Sequence, residues 1–177
     1  MNKSLRLLGG AVALMCAATG VAIAQQMTVD INKVSETGVG EKIGTVTVSG
    51  GKQGVSFKIA VRGIGPGQHG FHVHEKGDCT AAAKDGKMEA AGAAGPHYDP
   101  EGKKAHKGPK RAGHKGDLPA IKADAKGINQ TVIAPRLKLE DVSGRALVIH
   151  EGGDNYSDNP ENGGGMGRIA CGVIPKG

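Results

Sequence analysis

The stretch Val55-Ser56-Phe57-Lys58-Ile59-Ala60-Val61 alternates large apolar residues at 55, 57, 59 and 61 with small or charged ones. Side chains on an extended strand change face at every residue, so the alternation buries Val55, Phe57, Ile59 and Val61 and leaves Lys58 in water. Similar runs occur at 43–48, 68–74, 131–137 and 145–150, and nothing comparable repeats at helical spacing. The 31 glycines spread through 177 residues suit many tight turns and weaken helices. An all-β sandwich or barrel is the economical class.

Two segments, 76–119 and 151–167, break this rhythm. Loops longer than about 12 to 15 residues inside a compact domain need cross-links to offset their ordering entropy, and metal bonds or a disulfide supply them. The chain start reads as an export signal over 1–24, with Lys3 and Arg6 ahead of an apolar run and a small-x-small site at Ala22-Ile23-Ala24, which leaves a single domain over 25–177. It is too short and too rich in Gly and Ala for a membrane anchor, so no membrane association is expected after cleavage. Cleavage removes Cys16. Cys79 and Cys171 remain in an oxidising compartment and are expected to pair, closing a loop of roughly ninety residues worth ~4 to 5 kcal/mol in chain entropy.

The formal charge is +6, and Lys103, Lys104, Lys107, Lys110, Arg111 and Lys115 crowd one short stretch. Nucleic-acid binding by such a patch usually comes with aromatic stacking platforms, and this chain has no Trp, two Tyr and two Phe. No nucleic-acid partner is expected. Attraction of a small anion is the functional reading of the charge, and a solvated loop is the bland one.

Three of the seven histidines fall within the run His69-Gly70-Phe71-His72-Val73-His74. On a strand His72 and His74 share a face opposite Val73, forming a two-imidazole claw. His97, His106, His114 and Asp117 follow at separations of nine, eight and three residues, and His150 ends the run Ala146-Leu147-Val148-Ile149.

With HGFHVHEKGDC, PHYDP, GHKGDLPA, APRLKLEDVSGRALVIHEGGDNYSD and GRIACGVI in that order, the chain resembles the copper,zinc superoxide dismutases of the bacterial periplasmic type. The resemblance implies an eight-stranded Greek-key β-barrel, an immunoglobulin-like sandwich with two long functional loops, working in the periplasm as a monomer or homodimer. It implies one copper per subunit on His72, His74, His97 and His150, and one zinc per subunit on His97, His106, His114 and Asp117. The shared His97 bridges the two ions. Asp154 is then the carboxylate linking His74 to His106, His69 ties loops to the barrel, and Arg168 is the guanidinium beside copper.

The implied reaction is dismutation of superoxide to O2 and H2O2, with His97 delivering a proton and Lys84 and Lys87 guiding the anion. A closed N3O zinc site and an imidazole-rich copper site suit a structural and a redox ion respectively. Two departures stand out: Pro96 precedes His97 where glycine is usual, and the zinc loop is unusually lysine-rich, so that repulsion between Lys107, Lys110 and Lys115 bears on the zinc site. The sequons at Asn129 and Asn155 fit glycosylation by pattern only. Two rivals are a non-catalytic copper- or zinc-binding protein of the same fold, which typically lacks copper ligands or the channel arginine, and a metal-assisted hydrolase, which needs zinc with an open position.

Overall fold

The computed structural model describes residues 25–177, and the expected leader lies outside the described residues. Strands β1 (Gln26–Ser35), β2 (Gly38–Gly51) and β3 (Gly54–Val61) form an antiparallel meander. Then come β4 (Gly67–His69), β5 (Phe71–His74), the small hairpin β6 (Ala82–Lys84) and β7 (Lys87–Glu89), and β8 (Ile121–Ala123). β9 (Ile128–Ala134), the single-turn helix α1 (Leu139–Val142), β10 (Ala146–His150) and β11 (Arg168–Val173) complete the chain. The expected strand at 131–137 starts earlier and stops at Ala134, because Pro135 has no N–H to give a ladder.

The main sheet runs in the order β5-β10-β11-β1-β2-β3-β9. β9 turns back tightly into β8 at Asp124 and Gly127, β8 pairs with β4, and β4 continues past Gly70 into β5, so the sheet curls round on itself. With β4 and β5 taken as one bent strand and the β6–β7 hairpin assigned to its loop, the eight expected strands are present. The chain leaves β3 and returns beside β10 instead of β3, the crossover of a Greek key.

Val55, Phe57, Ile59 and Val61 are buried as the alternation predicts, and Phe57 meets Phe71 edge-on with ring centroids 5.7 Å apart. β10 is buried on both faces. Leu147 and Ile149 face the barrel core, whereas Ala146 and Val148 pack outward against Cys79, Ala91, Ala94 and Cys171 under the first long loop. The same alternation on β5 puts Phe71 and Val73 inside and turns His72 and His74 outward, so the claw sits on the barrel's outer wall beneath the loops.

Candidate metal centre

β5 carries the claw between two covered edges. One edge pairs with β10, setting His72 opposite Val148 and His74 opposite Ala146. The other receives the first long loop: Val73 N–H donates to Gly116 O (2.9 Å), Tyr98 N–H to Val73 O (2.9 Å) and Glu75 N–H to Pro96 O (3.0 Å). These bonds set Asp117 beside His72 and His97 beside His74, although the residues lie far apart in sequence. Pro96 therefore serves as a ladder acceptor, a role its missing N–H does not prevent.

Two converging sets of donors result. His72, His74, His97 and His150 each offer a ring nitrogen within 4.8 Å of the others, and His97, His106, His114 and Asp117 form a second set to the same tolerance. His97 belongs to both. In the second set the Nδ1 atoms of His106, His97 and His114 lie 3.0, 3.2 and 3.3 Å from Asp117 Oδ1. Ligands at Zn–N and Zn–O lengths on a tetrahedron stand about 3.3 Å apart, so these spacings fit a zinc ion at the centre. The other carboxylate oxygen, Oδ2, accepts the N–H groups of Lys107 (3.1 Å) and Gly108 (3.2 Å) and is thereby turned away.

Outer hydrogen bonds fix which nitrogen each imidazole presents. Asp154 accepts from His72 Nε2–H through Oδ2 and from His106 Nε2–H through Oδ1, both at 2.8 Å. The carboxylate thus joins the two sets through His72, and the expected link to His74 is corrected. His74 donates instead from Nδ1 to Gly95 O at 2.8 Å. Gly95 has φ 75, a left-handed conformation open to glycine, which aims its carbonyl inward. Gly163, with φ 73, closes over the Asp154–His106 bond where a Cβ would collide with both side chains. His69 is in neither set; its ring nitrogens lie against the carbonyls of His150 (2.8 Å) and Gly65 (2.9 Å).

Charge in the centre is polarised. Burial, reinforced by neighbouring His97, holds His72 and His74 well below the usual imidazole range, and burial brings His150 down to about 3. Burial also lowers His97, with Asp117 partly offsetting it. Burial opposes charge on His106 as well, but the carboxylates of Asp117 and Asp154 on either side of its ring outweigh it and raise this group to about 9. Asp117, although buried, lies far below the carboxylate range because His106, His114 and His97 surround it.

A cleft of about 760 Å3 opens onto His97 and His150, with Arg168, Lys84 and Lys104 also on its wall. Arg168 donates from Nη1 to Ala91 O (2.7 Å) and from Nη2 to Gly95 O (2.9 Å), and its Nε lies 3.6 Å from Glu89 Oε1. The disulfide between Cys79 and Cys171 fastens the loop bearing those carbonyls to the strand bearing Arg168. Lys87 is not on this wall; it borders a neighbouring groove with Met88 and Glu36.

Comparison with known proteins agrees with this geometry. The family model for copper/zinc superoxide dismutase matches residues 42–174. The chain belongs to this family. The superoxide dismutase [Cu-Zn] of Escherichia coli strain K12 is 47% identical over 167 residues, covering 93% of this chain and 96% of the relative. The Cu/Zn superoxide dismutase structure from Brucella abortus superposes with TM-score 0.83 at 48% identity, over 85% of this chain and 99% of that one. The structure of the monomeric enzyme from Salmonella enterica gives TM-score 0.75 at 47% identity, over 85% and 99%.

As a member of the copper/zinc superoxide dismutase family, the chain has copper and zinc as its cofactors, and its donor atoms suit them. His72 Nδ1, His74 Nε2 and His150 Nε2 in the first set, and His106 Nδ1 and His114 Nδ1 in the second, are buried without a hydrogen-bond partner. Buried polar atoms normally find partners, so five orphans converging on two points are what two cations would satisfy. Sequence reasoning missed Gly95, whose carbonyl serves both His74 and Arg168, and Glu89; no local pattern marks either residue.

Proposed function

We propose that this protein dismutates superoxide in the periplasm, converting two superoxide anions and two protons into O2 and H2O2. His72, His74, His97 and His150 hold copper, and His97, His106, His114 and Asp117 hold zinc. Copper when bound supplies a one-electron couple, and zinc a redox-silent positive charge. The observation that carries the reading is His97, a single buried imidazole belonging to both donor sets and bordering the cleft that Arg168 also lines.

The chain's own residues divide the remaining work. Arg168, anchored by two carbonyls, presents its guanidinium to the arriving anion, and Lys84 draws that anion toward the cleft. With Nδ1 of His97 turned to Asp117, Nε2 is the atom that holds a proton and gives it to the departing peroxide; the second proton comes from water. Asp154 keeps His72 and His106 in the tautomer that offers Nδ1 inward. A non-catalytic binding role is the weaker reading, because both donor sets and Arg168 are complete and the named relatives are dismutases.

The deciding experiment measures superoxide removal by protein loaded with both metals, alongside His97→Ala and copper-chelated samples. Activity is expected in the first alone. Equal activity in all three overturns the reading.

A further inference from the structure

The basic stretch 102–115 does not act as one patch. Lys104 borders the catalytic cleft, Lys103 pairs with Glu101 at 3.4 Å, and Lys115 pairs with Asp141 at 2.8 Å. Lys107, Lys110 and Arg111 line a separate groove of about 560 Å3, whose other walls are Pro109, Pro119, Asn155 and Tyr156. No carboxylate borders this groove, and none of the three cations has an ion-pair partner among the described residues. None of them lines the catalytic cleft, so guidance of superoxide does not account for their grouping.

The groove lies between the two long loops. On one side, Lys107 N–H donates to Asp117 Oδ2 at 3.1 Å; on the other, Tyr156 N–H donates to Asp154 Oδ1 at 2.8 Å. The Tyr156 ring packs on Gly108, where a Cβ would strike it, and its hydroxyl accepts Ala120 N–H at 2.9 Å, leaving its own O–H to donate. The side chain of Asn155 is taken up locally by Asn159 and Ser157. What remains is two ammonium groups, a guanidinium fork and a phenolic O–H around one concavity. A doubly charged tetrahedral oxyanion fits that donor set, because it offers several oxygens at once and accepts an arginine fork bidentately. The volume falls within the range of small-ligand sites.

We propose that this groove binds a phosphate group, carried either by a small soluble phosphate or by a lipid headgroup, and so bridges the two loops. The proposal is independent of the catalytic reading.

The test is calorimetric titration of the protein loaded with both metals, using sodium phosphate and pyrophosphate at constant ionic strength, with metal content measured afterwards. Vesicles of phosphatidic acid in phosphatidylcholine, against phosphatidylcholine alone, form the lipid arm. One saturable site is expected, weakened at least tenfold in the double variant Lys110→Gln/Arg111→Gln and unchanged in Lys84→Gln. The double variant should keep the urea-unfolding midpoint and metal content of the parent, which shows that it is folded. Binding to soluble phosphate without vesicle capture assigns a small ligand, and capture by phosphatidic acid alone assigns a headgroup. No saturable binding in either arm, equal affinity in the double variant, or loss in Lys84→Gln overturns the proposal.

Discussion

Arg168 Nη2 donates to the carbonyl oxygen of Gly95 at 2.9 Å, and that same oxygen accepts His74 Nδ1–H at 2.8 Å. One backbone atom therefore positions both the guanidinium proposed to meet the anion and the tautomer of a candidate copper ligand. Arg168→Ala removes the positive charge without touching either donor set. Its expected effect is a fall in turnover on the order of tenfold with copper content unchanged, read by pulse radiolysis and metal analysis. Copper loss parallel to the rate would contradict the separation of roles.

Breaking the disulfide should act on both stability and rate. The cysteines are 92 residues apart, and loop-closure entropy makes their bond worth about 4 to 5 kcal/mol. Cys79→Ser is expected to lower the urea midpoint accordingly and to slow turnover, because Ala91 and Gly95 lie in the loop it releases.

Asp154→Asn leaves one oxygen where two are needed. His72 and His106 cannot both donate to it, so one ring loses its orientation. Metal affinity should fall by about 10- to 100-fold, measured by competition with chelators of known strength. Undiminished retention of both ions would show that the hydrogen-bonded link is dispensable.

Lys84 and Lys87 are separated by the turn of one hairpin, yet only Lys84 borders the cleft. Lys84→Glu should reduce the rate more than Lys87→Glu, and its effect should shrink as ionic strength rises. Equal effects from the two substitutions would mean that long-range field, and not position on the wall, guides the substrate.

Metal-free protein should be most stable near pH 6.5. His106, raised to about 9, contributes stability that is complete below the unfolded value and lost as pH rises through 9. His150, lowered to about 3, contributes stability present above the unfolded value and lost on acidification toward 3, and the depressed His72 and His74 act in the same direction. Urea unfolding across pH 4 to 10 checks this; a profile flat from 6.5 to 9 would deny His106 its carboxylate partners.

Sequence and structure meet unevenly along the chain. The strand at 55–61 was legible because one face is buried and the other wet, so period two survives in the residue types. β1 carries the same pattern at Met27, Val29 and Ile31, outside the runs that the sequence marks most clearly, and the run at 68–74 forms two strands with different partners on either side of Gly70. The residues of the two converging donor sets were legible through family resemblance. The partner of Asp154 was not, because His72 and His74 share a face and only loop geometry decides which ring reaches the second loop. Likewise, the neutralisation of Lys115 depends on Asp141, which the fold brings close from 26 positions downstream.

The seating of residues 96–98 and 116–117 of the first long loop on the free edge of β5 also covers a sheet edge open to self-association. If those segments come away, as loss of the ions that pin them would favour, an unpaired row of N–H and C=O groups is exposed beside an apolar wall. That row is a template for strand addition by a neighbouring molecule. Metal binding at these residues would thus help to guard this chain against aggregation.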